Sequence, residues 1–85
     1  MDIKDIVENA KRKLVEFTGF TAPSAVGVNK EGEIYRIIIE VTERPSPASN
    51  LELLGIYEVC LDDEGNLIGY ERKQLRKRGD TTRES

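Results

Sequence analysis

The chain has 85 residues, 34% of them charged and 38% hydrophobic, with a net charge of −3, one cysteine and no histidine. This length allows one domain with a single modest core, and the composition argues against His–Cys zinc sites, Cys–His nucleophiles and a disulfide within the chain. No apolar run approaches the about 20 residues of a membrane-spanning helix, and the charged N-terminal segment lacks the apolar centre of a signal peptide, so we expect a cytoplasmic protein.

The first predicted element is an amphipathic helix that begins after an N-cap at Asp2 and ends at Gly19. Its apolar residues recur at spacings of three and four, and they are Ile3, Ile6, Val7, Ala10, Leu14 and Phe17. Such a stripe indicates one buried helix face. Because a β-sheet is predicted to follow directly, we interpret the stripe as core rather than as a partner-binding surface.

Two predicted strands follow a loop-like segment at residues 20–24 and show period-two hydrophobicity. They cover residues 25–29 and 34–43. One face of the second strand is wholly apolar and is expected to pack against the helix; it carries Tyr35, Ile37, Ile39 and Val41. The other face carries Ile34, Arg36, Ile38, Glu40 and Thr42. A segment with Pro45 and Pro47 then ends the pattern.

The third and fourth predicted strands, residues 51–61 and 67–75, form a hairpin around an acidic turn at residues 62–66. One face of the third strand carries Leu53, Tyr57, Val59 and Leu61. The other carries Glu52, Leu54, Ile56, Glu58 and Cys60, unless a bulge at Gly55 exchanges the faces before it. In the fourth strand Ile68, Tyr70 and Arg72 are expected on one side. We expect Tyr57 and Tyr70 to pack in the core and Cys60 to be a small buried hydrophobe.

These elements predict an α+β fold in which one N-terminal helix packs on a four-stranded antiparallel β-meander. Residues 1–76 are predicted to form a single α-β-β-β-β domain. Residues 77–85 are polar and lack periodicity, which is typical of a disordered tail. The sequence favours a meander as the simplest strand order and leaves other orders open.

The sheet face opposite the helix is the first candidate binding surface, because one helix covers only one face. Its aliphatic residues are expected to form a patch rimmed by Arg36, Glu40 and Glu58, and they are Ile34, Ile38, Leu54 and Ile56. The alternative is that these side chains are scattered over the surface and only raise β-propensity. Both interpretations stay open at the level of sequence.

A basic run near the C-terminus is the second candidate binding surface, and it comprises Arg72, Lys73, Arg76, Lys77 and Arg78. Residues 1–71 carry 7 Lys/Arg against 14 Asp/Glu, whereas residues 72–85 carry 6 against 2. A basic end on an acidic body predicts contact with acidic protein partners. Nucleic acid is the disfavoured partner, because the run is short and has no interleaved aromatic residues.

Catalytic and metal-binding motifs are weak in this sequence. The acidic turn lacks the alternating ligand spacing and terminal glutamate of an EF-hand loop. Glu40 and Glu58 could face each other across two strands, but the chain offers no partner nucleophile and little room for a dry cavity. There is also no Gly-rich phosphate loop. We therefore predict that the protein is not an enzyme and uses no metal or cofactor.

The segment from Leu54 to Lys73 combines Tyr57-Glu58-Val59, an acidic turn with Gly65, Gly69-Tyr70 and following basic residues. In this order it resembles the gas vesicle protein O (GvpO) family. The resemblance extends to a helix ending in Phe17-Thr18-Gly19, to the strand segments Val26-Gly27-Val28 and Val41-Thr42-Glu43, and to the proline-bearing connector. It covers most of residues 3–79. Similar hairpins occur in small PepSY-like and cystatin-like domains, so an inhibitory or binding module of that type stays open.

The resemblance implies a non-enzymatic accessory protein of gas vesicle formation, acting in the cytoplasm or in association with gas vesicles. Its implied partners are other gas vesicle accessory proteins and the nascent shell protein. The family brings no catalytic residues to carry over. A regulatory nucleic-acid-binding role in gas vesicle gene expression is the alternative from another class. A homodimer also stays open.

Overall fold

The computed structural model describes residues 2–48 and 51–77, and it contains one helix followed by four strands. Helix α1 spans Ile3–Thr18, and strands β1 to β4 span Thr21–Glu31, Ile34–Arg44, Leu53–Asp62 and Leu67–Lys77. The strands form one antiparallel sheet in the order β1-β2-β3-β4. The predicted α+β fold and the meander are therefore confirmed. Lys77 ends β4, and the rest of the predicted tail lies outside the described residues.

Helix α1 has the two predicted end signals. An Asp2 side-chain oxygen, Oδ1, accepts a hydrogen bond from the Asp5 backbone N–H at 3.0 Å. Gly19 adopts a left-handed conformation with φ of 77°, and its N–H donates to the Val15 carbonyl at 2.8 Å. Both contacts satisfy backbone groups that a helix end leaves unpaired. No helix in the described part of the chain is long and apolar enough to cross a membrane.

The core lies between α1 and one face of the sheet, which we name the helix face. The predicted apolar face of β2 is confirmed here, because its four residues are buried with three residues of β3 and three of α1. These residues are Tyr35, Ile37, Ile39, Val41, Tyr57, Val59, Leu61, Ile6, Ala10 and Leu14. The two ends of the predicted helix stripe are exceptions, since Ile3 and Phe17 are 52% and 61% exposed. A straight helix crossing a twisted sheet makes close contact mainly through its central turns.

Strand β1 is longer than the sequence indicates. It begins at Thr21, within the segment predicted as a loop, and continues to Glu31. Its side chains are exposed along almost the whole strand, and Val26 and Val28 are 60% and 41% exposed. An edge strand with little burial needs no alternation of apolar and polar residues. The period-two signal therefore marks only its central part.

Gly55 is not a bulge, because it pairs in regular register with Val41. The register shifts of β3 lie opposite Glu43 of β2 and opposite Ile68 and Lys73 of β4. Gly55 instead leaves room for the Glu43 carboxylate. A Cβ atom there would collide with the Glu43 carboxylate and would lie 2.9 Å from Tyr57 Cε1.

The β3–β4 turn is built around the side chain of Asp62. Its Oδ1 accepts hydrogen bonds from the backbone N–H groups of Glu64 and Asn66, each at 2.9 Å, and Oδ2 accepts from Asn66 Nδ2 at 3.1 Å. These hydrogen bonds lower the pKa of the Asp62 carboxyl, and the bond from the Asn66 backbone N–H has the largest effect. Buried Asn9 of α1 donates from Nδ2 to the Gly65 carbonyl at 2.5 Å, so the turn is also fixed to the helix.

Candidate protein-binding surface

The sheet face opposite α1, which we name the outer face, brings most of the first predicted site together. In the pairing register Ile38 lies between Gly27 of β1 and Glu58 of β3. Arg36 lies opposite Cys60, and Glu40 lies opposite Ile56. The side chains of Ile34, Ile38 and Ile56 are half-buried. The outer face therefore presents isoleucine side chains between charged residues.

A chain of ion pairs crosses all four strands on the outer face. Arg36 Nε bonds Glu31 Oε1 at 2.9 Å, and Arg36 Nη1 lies 3.6 Å from Glu58 Oε1. Lys73 Nζ lies 3.7 Å from the same Glu58 oxygen and 3.1 Å from Glu71 Oε1. The carboxylates raise the pKa of both cations, chiefly through the Glu31 hydrogen bond for Arg36 and the Glu71 hydrogen bond for Lys73. Solvent reaches these side chains, so each pair stabilises the fold only weakly.

A further ion pair, separate from this chain, spans the outer face and lies where an open aliphatic patch is expected. Arg76 of β4 reaches across β3 to Glu40 of β2, with Nη2 at 2.6 Å from Oε2. Arg76 pairs with Leu54 in the register, and Leu54 is only 2% exposed. The expectation that Leu54 contributes to an open aliphatic patch is therefore wrong. The stem of Arg76 has to pass over β3 beside Leu54 to reach Glu40, and such stems bury apolar surface.

Cys60 also differs from its expected role as a buried hydrophobe. It lies half-buried on the outer face, where its Sγ accepts a hydrogen bond from Arg36 Nη1 at 3.3 Å. Because Arg36 also contacts Glu31 and Glu58, the thiol is part of the polar network.

A shallow depression of about 390 Å³ lies at the β1 side of the outer face. Its lining combines backbone close to Gly27, the side chain of Ile38 and the charged groups of Arg36 and Glu58. Gly27 leaves the depression open because it has no side chain to cover Ile38. An apolar side chain of a partner would therefore find Ile38 at its base and charged groups at its rim.

The members of the basic run within residues 51–77 do not form one surface, because they lie on opposite faces of β4. Arg72 lies opposite Tyr57 on the helix face, where its guanidinium bonds both Glu43 carboxylate oxygens at 3.1 and 2.9 Å. Lys73 and Arg76 contact carboxylates of the outer face. Lys77 is exposed at the end of β4, and Arg78 lies outside the described residues.

The Glu43–Arg72 pair joins an enclosed carboxylate to a half-exposed guanidinium on the helix face. The Glu43 side chain is 9% exposed, and its carboxylate lies over Gly55 beside the buried ring of Tyr57. Burial, the largest cause, raises the pKa of the Tyr57 hydroxyl. Hydrogen bonding to Tyr57 and then to Glu43 raises the pKa of Arg72. The sequence gives no sign of this cluster, because it depends on three strands.

Tyr70 is a further correction, since it is expected in the core and is 42% exposed. Its ring lies on the helix face, 6.2 Å from the rings of both Phe17 and Tyr57. The bulge beside Ile68 sets this arrangement by pairing Leu67 with Leu61 and Tyr70 with Val59. Ile68 therefore does not share the environment predicted for it with Tyr70, and it is 56% exposed.

Comparison with known proteins gives a consistent family. The sequence model of the family described as "Gas vesicle synthesis protein GvpO" matches residues 1–82. The chain is 38% identical over 56 residues to "Gas vesicle protein O1" of Halobacterium salinarum, covering 66% of this chain and 45% of that protein. It is 32% identical over 78 residues to "Gas vesicle protein O" of Streptomyces sp. (strain CB03234), covering 92% of this chain and 61% of that protein.

A third relative, "Gas vesicle protein O" of Haloferax mediterranei, is 33% identical over 78 residues, covering 91% of this chain and 53% of that protein. The chain thus spans about half the length of the curated relatives that it matches. No solved structure matches the chain significantly.

Proposed function

Because the chain belongs to the gas vesicle synthesis protein GvpO family, we propose that it is a non-enzymatic accessory protein of gas vesicle formation. It acts through contacts with other gas vesicle accessory proteins and with the shell protein. It works in the cytoplasm or at the vesicle. The names of the family and of three relatives support a role in gas vesicle formation.

The observation that carries the binding role is the composition of the outer face. Ile38 and Ile56 lie half-buried on adjacent strands, with Arg36, Glu40 and Glu58 around them. Their remaining apolar surface is available to a partner, and the surrounding charges can align that partner. Protein interfaces commonly combine an apolar centre with a polar rim.

The arrangement of charges supports binding rather than catalysis. The carboxylates of the outer face contact cations of neighbouring strands, as Glu58 does with Arg36 and Lys73. General acid–base groups are usually found in enclosed sites with strongly perturbed pKa values. The residues of this surface lie in an open, shallow region instead.

The regulatory nucleic-acid-binding alternative receives less support. Arg72 and Lys73, which the sequence groups in one basic run, contact carboxylates on opposite faces of β4. A phosphate backbone would have to displace these contacts at several positions.

The test is a pull-down of purified gas vesicle accessory and shell proteins from the same gene cluster. We expect the full chain to retain at least one of them, and the double variant Ile38→Lys with Ile56→Lys to reduce retention about tenfold. The matched control is Val26→Lys combined with Ile3→Lys, which adds the same two charges at side chains that are 60% and 52% exposed. Circular dichroism and urea unfolding verify that each variant is folded. Equal retention by a folded double variant would overturn the role of the outer face.

A second test addresses the cellular role. The wild-type gene is returned to a host that carries the gas vesicle cluster without its own protein O gene. We expect buoyant cells with vesicles visible by electron microscopy, and far fewer vesicles with the double variant. Absence of vesicles with a well-expressed wild-type chain would contradict the proposed function, whatever the pull-down shows.

A further inference from the structure

Strand β4 leaves one side of its backbone available to another chain. In the sheet order it pairs with β3, and among residues 2–48 and 51–77 no strand pairs with its other side. Its 11 residues include no proline. The backbone N–H and C=O groups of such an edge can pair with an added strand.

The opposite edge is protected by its own sequence. Strand β1 contains Pro23, which cannot donate a backbone hydrogen bond, and Ala22 has a positive φ of 54°. Its pairing with β2 also shifts register at two places, between Thr21 and Ser24 and between Ala25 and Gly27. These irregularities make β1 a poor template for a further strand.

Exposed apolar side chains border the free edge on the helix face. Tyr70 and Leu75 of β4 are 42% and 44% exposed, and the register places them opposite Val59 and Gly55. Phe17 of α1 is 61% exposed, and its ring lies 6.2 Å from that of Tyr70. Helix α1 thus ends beside Tyr70. Arg72 lies between Tyr70 and Leu75 on this face, with its guanidinium held by Glu43, so the apolar side chains flank one paired cation.

The outer face of the same edge carries two partly exposed cations, and β4 as a whole is basic. The side chains of Lys73 and Arg76 are 47% and 39% exposed, although each already contacts a carboxylate of the sheet. Along the strand, Arg72, Lys73, Arg76 and Lys77 outnumber the single acidic residue Glu71. Pairing β4 with β4 of a second copy would bring these like charges together, which disfavours a dimer through this edge. An acidic strand meets no such repulsion.

We propose that the free edge of β4 binds an extended peptide segment of a partner in which apolar residues alternate with Asp or Glu. In a strand added to β4, alternate side chains point to opposite faces of the sheet. The apolar set packs against Phe17, Tyr70 and Leu75, and the acidic set approaches Lys73 and Arg76. This surface is separate from the outer-face isoleucines, and the inference does not depend on a gas vesicle role.

The test uses isotope-labelled full chain and three synthetic peptides of equal length. The first alternates valine with glutamate, the second alternates valine with lysine, and the third has the composition of the first in two blocks. We expect the first peptide to shift the amide resonances of β4 and to slow hydrogen exchange there. We expect the other two to bind at least about tenfold more weakly.

Two variants identify the surface. Tyr70→Ser combined with Leu75→Ser should weaken binding of the valine–glutamate peptide about tenfold, whereas Val26→Ser on β1 should leave it unchanged. Because the first variant could lose its fold, Lys73→Glu provides a second measurement. This charge reversal at a half-exposed side chain should shift the preference of the chain toward the valine–lysine peptide.

Four results would each overturn the inference. The first is equal binding of the acidic and basic peptides, and the second is a response of β1 or of Ile38 and Ile56 without one at β4. The third is a dimer in sedimentation experiments that buries β4. The fourth is tighter binding of a single-stranded oligonucleotide to the same resonances, which would assign the aromatic and basic side chains to base stacking and phosphate contact.

Discussion

The two faces of the sheet each carry an Arg–Glu pair that joins β4 to β2 across β3, but the surroundings differ. On the helix face, Arg72 bonds Glu43, whose side chain is 9% exposed above Gly55. On the outer face, Arg76 bonds Glu40, whose side chain is 24% exposed. The first pair lies at the end of an aliphatic core, and the second lies in a network of charges. The difference shows that the helix face carries the buried apolar core, while the outer face carries partly exposed ion pairs.

The largest expected difference between the faces concerns two consecutive residues of β2. Ile37 is fully buried in the core, and Ile38 is half-buried on the outer face. We expect Ile37→Ala to lower the free energy of unfolding by about 2–5 kcal/mol, because it leaves a cavity. Ile38→Ala should cost about 1 kcal/mol or less. Urea unfolding of both variants measures the difference, and equal losses would contradict the assignment of the faces.

Two glycines of the sheet, Gly55 and Gly27, allow a second comparison. A Cβ atom at Gly55 would collide with the Glu43 carboxylate, whereas one at Gly27 would meet Ile38 Cγ1 at an ordinary 3.8 Å. Gly55→Ala should therefore destabilise the fold by about 1–3 kcal/mol through overpacking. Gly27→Ala should change stability by less than about 0.5 kcal/mol. The same chemical change is made at both positions, so the thermal midpoints of the two variants are directly comparable. A Gly55→Ala variant as stable as the wild type would show that the Glu43 side chain adopts another conformation.

A smaller effect is expected where the helix face meets the β3–β4 turn. Asn9→Ala removes the donor to the Gly65 carbonyl and also a side-chain contact with Arg12. Loss of the donor to a buried acceptor should cost about 1–2 kcal/mol. Asn29→Ala is the control. Asn29 is exposed on β1, and its side chain donates a hydrogen bond to the exposed Glu31 carboxylate. Hydrogen exchange of the turn amides should increase in the first variant and not in the control.

The smallest effect is a pH dependence of the same turn. The folded state lowers the pKa of Asp62, so its contribution to stability is complete above the ordinary aspartate pKa of about 4. It is lost as the pH falls further through the lowered pKa of the folded state. We expect Asp62→Asn to flatten the fall of the urea midpoint below about pH 4. Asp63→Asn, in the same turn, is the control, and an unchanged pH profile for Asp62→Asn would argue against the described turn.

Sequence reasoning succeeded where a signal is local. The caps of α1 at Asp2 and Gly19 depend on residues within one helical turn, and the alternation from Tyr35 to Val41 shows directly which side of β2 is buried. The candidate residues Arg36, Ile38 and Glu58 come together because this alternation is regular and because β2 and β3 are neighbours in the meander.

The same reasoning failed where strand pairing decides the result. The bulges beside Ile68 and Lys73 arise from the match between β3 and β4, and they determine which side chains of β4 share a face. Arg72 and Lys73 appear as one basic run in the sequence but contact carboxylates on opposite faces, because successive side chains of a strand alternate. Leu54 has the position of an exposed residue in the alternation and is nevertheless 2% exposed. It lies opposite Arg76, which reaches across β3 to Glu40.

The sequence by itself determined the α+β fold, the helix ends, the apolar face of β2 and the resemblance to the protein O family, since each depends on residues close together in the chain. Only the tertiary structure decided the cross-sheet ion pairs, the close approach of Glu43 to Gly55 and the exposure of Tyr70 beside Phe17. The physical reason is that these features join atoms of different strands. Their positions are set by the pairing register and the reach of long side chains, and the one-dimensional pattern encodes neither.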